Sequence, residues 1–319
     1  MRAMMLTALD GDLAMTEAPT PEPGPGEVLV RVRACGINFA DTLMVRGRYQ
    51  EKPALPFAPG VEVAGEIVAL GEGADPALSI GMRVAALTGH GGLAEYATAR
   101  VAAPIPDEMP DDAAAALLVT YGTSHLSLDY RARMQPGERL LVLGAAGGVG
   151  LTAVEIGKLM GAEVIASARG AERLEIAQKI GADHLIDSGE DGLKDRLKAL
   201  GGVDVLYDAV GGPQFHEAMR ACNPEGRILP IGFASGDVPQ IPANILLVKN
   251  LIVHGVYWSA YNRLKPKVLT DSVAQLIRWW QEGRLRPHVS NILPLEEANA
   301  ALDLLRDRAA TGKVVVRVA

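Results

Sequence analysis

The stretch "LLVLGAAGGVGLTAVEIGKLMGAEVIASA", residues 140–168, restricts the fold more than any other part of the chain. An apolar run ending at Leu143 reads as a buried strand. A Gly-rich turn follows, then an amphipathic stretch that predicts a helix from Val149 to Met160. "AEVIASA" predicts the next strand. Strand, turn, helix and strand on this schedule make a βαβ unit, and such units build parallel sheets buried on both faces. Gly147 and Gly150 let backbone N–H groups approach a pyrophosphate and let the helix pack closely on the strand. The positive end of the helix dipole then faces the phosphates. Ala146, Gly147, Gly148, Val149 and Gly150 are the candidate phosphate-binding residues. The spacing departs from strict GxGxxG because Ala145 stands at the first glycine position; the strands and helix around it carry the reading.

The end of the second strand selects the cofactor. An acidic side chain there would grip a ribose 2′-hydroxyl. The sequence reads "IASARGAERLE" instead, with Ser167, Arg169 and Arg173 and no carboxylate before Glu172. A 2′-phosphate needs hydroxyl and cationic partners, so NADPH is the expected cofactor. The alternative for Arg173 is an ion pair with Glu172 or Glu175. Two later turns follow strands on the ligand edge: Gly211 with Gly212, on the adenosine side, and "GFASG" from Gly232 to Gly236, which brings in Phe233 and Ser235.

The βαβ rhythm does not extend over the whole chain. The first third is β-rich: "EVLVRVRA" alternates Val28, Val30 and Val32 against Leu29, Arg31 and Arg33, and "VEVAGEIVALG" and "GMRVAAL" are further short strands between glycines. Strand-helix alternation runs from Glu138 to "NLIVHGVY", which predicts the last strand of the parallel sheet. After Tyr261 come two amphipathic helices, "SVAQLIRWWQEG" and "LEEANAALDLLRDR", and a closing strand "KVVVRVA". This tail resembles the opening third. The reading is a discontinuous barrel-like domain, residues 1–118 and 260–319, with an α/β dinucleotide domain, residues 119–259, inserted in it.

A net charge of −7 argues against nucleic acid as the main partner, since phosphate backbones want a basic face. Cys35 and Cys222 have no disulfide framework around them, which suits a reducing compartment. The apolar runs, such as Ala113 to Val119, are shorter than a membrane span. The expected location is the cytoplasm.

With these residues in hand, the chain resembles the medium-chain dehydrogenase/reductase superfamily, and within it the zinc-free quinone oxidoreductase branch that includes zeta-crystallin. "GINFADT", "PGVEVAGEI", "GGLAEYA", "YGTSHLSL", "GAAGGVG", "GADHLID", "DAVGG" and "ATGKVVV" carry the resemblance by their order and spacing. It implies a GroES-like β-barrel catalytic domain split by a Rossmann doubly wound parallel-sheet domain. It also implies a homodimer paired through the last Rossmann strand, near Leu251 to Val256. In the zinc alcohol dehydrogenases of this superfamily a metal-binding Cys stands where this chain has Asn38, and a metal-binding His where it has Val61. Glu62 alone cannot make a tetrahedral N/S site, so no metal is expected. Cys35 sits beside that position and reads as a small buried hydrophobe.

The same resemblance implies the site. Without a Lewis acid, the protein must hold the nicotinamide against a substrate that is already electrophilic, a quinone or an α,β-unsaturated carbonyl. Asn38 is the first candidate donor. Tyr49 matches a site-rim tyrosine that could bind cofactor, donate to substrate or stack on a ring. Thr123 matches a threonine near the nicotinamide, with a helix N-cap as its other reading. Lys313, in "ATGKVVV", joins the cofactor set, and Ser188 stands where many relatives carry a tyrosine for the 2′-phosphate end. Two rival readings stay open: an enoyl- or acrylyl-CoA-type reductase, and a non-catalytic NADPH-binding protein.

Overall fold

The structure, a computed structural model, describes residues 1–318. The chain divides into two compact units, the first comprising residues 1–119 and the chain from Val273 onward, the second Thr120–Ser272.

In chain order the first unit contributes β1 (Arg2–Met5), β2 (Ala14–Glu17), β3 (Val28–Ile37), α1 (Phe39–Met44), β4 (Glu62–Leu70), β5 (Arg83–Leu87), β6 (Tyr96–Ala99), β7 (Val101–Pro104), α2 (Asp111–Ala114) and the start of α3 (Leu118–His125). The second contributes a π-helical turn (Leu126–Arg131), β8 (Arg139–Leu143), α4 (Gly148–Leu159), β9 (Glu163–Ala168), α5 (Ala171–Ile180), β10 (His184–Asp187), α6 (Leu193–Ala199), β11 (Val203–Asp208), α7 (Gly212–Ala221), β12 (Cys222–Pro230), α8 (Ala243–Lys249), β13 (Ile252–Val253), α9 (Tyr261–Leu264) and the start of α10 (Pro266–Gln281). The first unit then closes with β14 (Val289–Pro294), α11 (Ala298–Arg306) and β15 (Lys313–Arg317).

In the first unit β3 is the spine. It pairs antiparallel with β15, β4 and β6, within a sheet ordered β14-β15-β3-β4-β5-β7. Its alternation is what the sequence predicts: Val28, Val30 and Val32 are buried, while Arg31 turns outward to Glu66 on β4 at 2.7 Å. The C-terminal segment completes this core. Ala298, Ala301 and Leu302 form the apolar stripe of α11 and pack with Val314 and Val316 of β15. A three-element tail therefore belongs to the same core as residues 28–99.

The second unit is a six-stranded parallel sheet ordered β10-β9-β8-β11-β12-β13. The order reverses between β8 and β11, and ligands of such sheets bind outside the carboxyl ends of the strands at that point. Two expectations shift. The strand read from "NLIVHGVY" shortens to Ile252–Val253, an edge strand bonded on one side only, although the His254 N–H still reaches Ile228 O at 2.8 Å. The helix read from "SVAQLIRWWQEG" starts six residues earlier, because Pro266 is well suited to a first helical turn. Its opening residues, with Tyr261 and Lys265 before them, pack on the second unit: the His125 ring bonds Ser272 Oγ at 2.8 Å and Lys265 bonds Tyr130 Oη at 2.7 Å. The units accordingly divide inside α10.

Candidate functional site

In the first unit the end of β3, the start of α1, the start of β4 and the start of β15 bring four polar residues together in the interior. Lys313 and Glu62 are 2 % and 1 % exposed and form a direct ion pair. The Lys313 ammonium also donates to Asn38 Oδ1 at 2.9 Å and to Ile37 O at 3.2 Å, so its three protons are all used. Glu62 accepts from Asn38 Nδ2 at 2.9 Å and from the Val119 N–H at 2.8 Å. The second proton of Asn38 Nδ2 goes to Gly36 O at 3.2 Å. Gly36 is a glycine for steric reasons: a Cβ there would lie 1.9 Å from Ala115 O and 2.9 Å from Glu62 Oε1.

Both amide protons of Asn38 go to protein acceptors, and all three Lys313 ammonium protons are used within the protein. A buried carboxylate and a buried ammonium each need several partners, and Asn38 sits between them because it can donate and accept at once. Asp41, which follows Asn38 in the "GINFADT" stretch, completes the arrangement. It is fully buried, accepts from the N–H groups of Asn38 at 2.8 Å and Gly60 at 3.0 Å, and so ties α1 to the loop before β4. Burial pushes its carboxyl up from 3.8 to about 6, against those two hydrogen bonds and Lys313. Cys35 is buried with its sulfur against Gly60 and Gly92, and burial raises its thiol well above the ordinary range. Tyr49 is half-buried in the loop after α1 and packs against the barrel core. Among the described residues no three His, Cys, Asp or Glu side chains are grouped to hold a metal ion.

In the second unit the β8–α4 turn forms a tight cradle. The left-handed turn residue is Gly144 (φ +73°), ahead of the Ala145 position that the motif spacing points to. The N–H groups of Gly144 and Ala145 both bond Ser167 O at 3.0 Å, which fastens the loop to β9. A Cβ on Gly150 would lie 2.0 Å from Gly144 O, so only glycine lets α4 start this close to the loop. Gly147 is exposed at the N-cap, with Gly148 and Val149 half-buried behind it. The first-turn N–H groups of α4 have no acceptor within the helix. Ala146 and Gly150 are buried beneath them. The cradle suits a dinucleotide pyrophosphate.

The next strand end sorts the adenosine-side candidates. Ser167 is fully buried at the end of β9, and among the described residues its hydroxyl has no hydrogen-bond partner. Arg169 is exposed, while Arg173 and Ser188 are half-buried. Asp187, at the end of β10, accepts from Gly170 N at 3.3 Å and Gly189 N at 2.8 Å. After β11, Asp208 Oδ1 caps the turn through Val210 N at 2.8 Å and Gly211 N at 2.9 Å, and burial raises its carboxyl. Gly211 (φ +73°) packs against the loop after β12, where its Cβ would lie 2.5 Å from Asp237 O. Gly232 bonds back to Asp208 O at 3.3 Å, and Ser235 N reaches Val210 O at 2.9 Å. Phe233 and Ser235 are left exposed on that loop.

Thr123 is buried within α3, well past its N-terminus, which removes the N-cap reading. A polar network holds this helix in place. Ser124 Oγ bonds Thr152 Oγ1 at 2.8 Å and Tyr207 Oη at 2.9 Å, and the Tyr121 hydroxyl donates to Glu155 at 2.5 Å. Tyr121 and Ser124 lie in the "YGTSHLSL" stretch, but no sequence spacing ties them to Thr152, Glu155 or Tyr207. Only the three-dimensional crossing of α3 with α4 and β11 reveals them.

Known proteins match both units. Residues 24–107 fit the alcohol dehydrogenase GroES-like domain and residues 148–275 the zinc-binding dehydrogenase domain. A quinone oxidoreductase-like protein 2 homolog of Nematostella vectensis is 41 % identical over 99 % of this chain and 88 % of its own length. The quinone oxidoreductase of Thermus thermophilus superposes with a TM-score of 0.86 at 35 % identity, covering 100 % of both chains. The Escherichia coli quinone oxidoreductase, solved with NADPH, does so with a TM-score of 0.91 at 28 % identity, again over 100 % of both. With a GroES-like unit, a Rossmann-type parallel sheet and relatives along its whole length, this chain belongs to the quinone oxidoreductase branch of the medium-chain dehydrogenase/reductase superfamily.

Proposed function

We propose that this protein is an NADPH-dependent reductase that delivers hydride to a quinone or an activated α,β-unsaturated carbonyl without a catalytic zinc. The observation that carries the reading is the Gly144–Gly150 cradle at the reversal point of the parallel sheet, closed so tightly that Gly150 has no room for a Cβ. The relatives solved with NADPH support the choice of cofactor. When bound, the reduced nicotinamide supplies the hydride. The residues of this chain bind and orient: the α4 N-terminus takes the pyrophosphate, Arg169 and Arg173 at the start of α5 take the 2′-phosphate with Ser188 beside them, and the Gly211 and Gly232–Ser235 turns line the strand ends. Within the second unit, Thr123 is assigned to the reacting end. Asn38 acts through position: its side chain fixes Glu62 and Lys313, and its N–H fixes Asp41.

Independence from zinc rests on the donor set. Asn38 and Val61 offer no thiolate or imidazole, and Glu62 is already neutralised by the Lys313 ammonium. A divalent ion at Glu62 would have to displace that ammonium. The same reading makes the protein a cytoplasmic homodimer, supported by two buried free cysteines and the apolar, one-sided edge at β13.

Steady-state oxidation of NADPH with a benzoquinone, a simple enone and crotonyl-CoA tests the proposal. Turnover of the quinone or enone is expected to survive exhaustive chelation. Turnover of the thioester alone, or loss of activity on chelation with recovery on adding zinc, overturns it. Arg173→Ala should raise KM for NADPH about tenfold more than KM for NADH; equal changes for both cofactors would remove Arg173 from the 2′-phosphate site.

A further inference from the structure

We propose that Arg131, Arg133 and Arg227, gathered around His254 on the second unit, form a separate anion site for a small phosphate-bearing polyanion. The cluster is assembled from three elements. Arg227, on β12, donates Nη1 to Ala132 O at 3.0 Å, the carbonyl between Arg131 and Arg133 at the end of the π-helical turn. His254 follows β13, its N–H bonded to Ile228 O beside Arg227. The Arg227↔Ile252 register puts His254 on the same sheet face as Arg227.

The charges do not cancel. Arg227 pairs with Glu138, but among the described residues Arg131 and Arg133 form no ion pair. The Nε atoms of Arg131 and Arg227 are buried without an acceptor. Arg133 is held at φ +49°, a left-handed conformation that an arginine adopts at a cost. Nearby, Lys265 adds a fourth cation through its bond to Tyr130 Oη, while Asp129 acts on His125. Burial first, and then Arg131, Arg227 and Arg133, lower the His254 imidazole below its ordinary 6.5. Guanidinium groups collected in a half-buried place repel one another unless an anion joins them, and their planar forks match phosphate oxygens. The footprint is a few side chains on a chain of net charge −7, which fits a small ligand and not a nucleic-acid track.

The site is distinct from the dinucleotide cradle. Arg227 is level with Val205 on β11 and Leu140 on β8, near the amino end of the sheet, and Glu138 precedes β8. The cradle begins beyond the opposite end of β8, at Gly144.

The test follows the His254 ring by NMR in protein saturated with NADP+, so that the cradle is filled, with inorganic pyrophosphate as the probe. Millimolar pyrophosphate should raise the imidazole pKa in a saturable way, beyond the change produced by sodium chloride at equal ionic strength. The Arg131→Ala/Arg133→Ala double variant should lose about tenfold or more in pyrophosphate affinity while NADP+ binding is unchanged. Arg133→Ala alone, at an exposed position, should lose part of it. A response matched by sodium chloride, or an undiminished response in the folded double variant, overturns the site.

Discussion

Asn38 shows how one side chain can hold two buried charges together. Its amide links the Lys313 ammonium to the Glu62 carboxylate, and the pair it joins is almost wholly removed from water. Breaking a buried pair from one side leaves an uncompensated charge, which costs about 3–5 kcal/mol, whereas removing both charges is often close to neutral. Lys313→Met should therefore destabilise the protein by about that much, and Lys313→Met/Glu62→Gln should recover more than half. Denaturant unfolding of the two variants checks this, and equal losses in both would show that the pair is not coupled. Asp41 makes a second residue-scale prediction. Its folded pKa of about 6 lies above the ordinary 3.8, so the native state holds a proton that the unfolded chain has released. The stability this contributes is complete below about pH 4 and is lost as pH rises through 6, a change on the order of 3 kcal/mol. Asp41→Asn cannot titrate. Wild type should lose stability relative to this variant between about pH 4 and pH 7, with no further change above. A pH-independent difference in unfolding free energy would place Asp41 at its ordinary pKa.

At the scale of elements, the β8–α4 turn separates two glycines that a motif treats alike. Gly150 is fixed by contact with Gly144 O, while Gly147 stands exposed with its nearest neighbour 3.4 Å from a Cβ. Gly150→Ala should lower the melting temperature and abolish NADPH binding together. Gly147→Ala should keep the melting temperature within a few degrees yet weaken NADPH binding about tenfold, because its methyl would project where the pyrophosphate approaches. Calorimetry and cofactor titration on the same samples check both. These elements were legible in the sequence because local patterns specify them: β3 by alternation, α4 and α5 by apolar period and flanking glycines, β15 by its run of valines. The Lys313–Glu62 pair was not legible, since its partners are 251 residues apart and join only when β15 docks on β3. The Ser124–Thr152–Tyr207 contacts were hidden for the same reason. Gly144 was missed because the motif directs attention to Ala145, one residue after the position that needs a positive φ.

At the scale of the whole molecule, the second unit leaves one edge unfinished. Among the described residues β13 bonds only β12, so its outer N–H and C=O groups have no strand partner there, an open edge of the kind that proteins normally cover. Beside it α8 buries none of its residues, and Leu247 and Val248 are 77 % and 76 % exposed, with Ile252 at 50 %. An apolar helix face next to an open strand edge is the surface that a two-fold pairing would bury, strand against strand, with α8 against its copy. That pairing would also explain why so short a strand is kept: in a dimer it becomes interior to a continuous sheet. Leu247→Glu/Val248→Glu places four carboxylates on such an interface while disturbing no buried side chain of the protomer. Sedimentation velocity should show a dimer for wild type and a monomer for the double variant, with the melting temperature of the variant lower but its circular dichroism unchanged. A wild-type monomer, or a variant that remains dimeric, would mean that this edge is not where two copies meet.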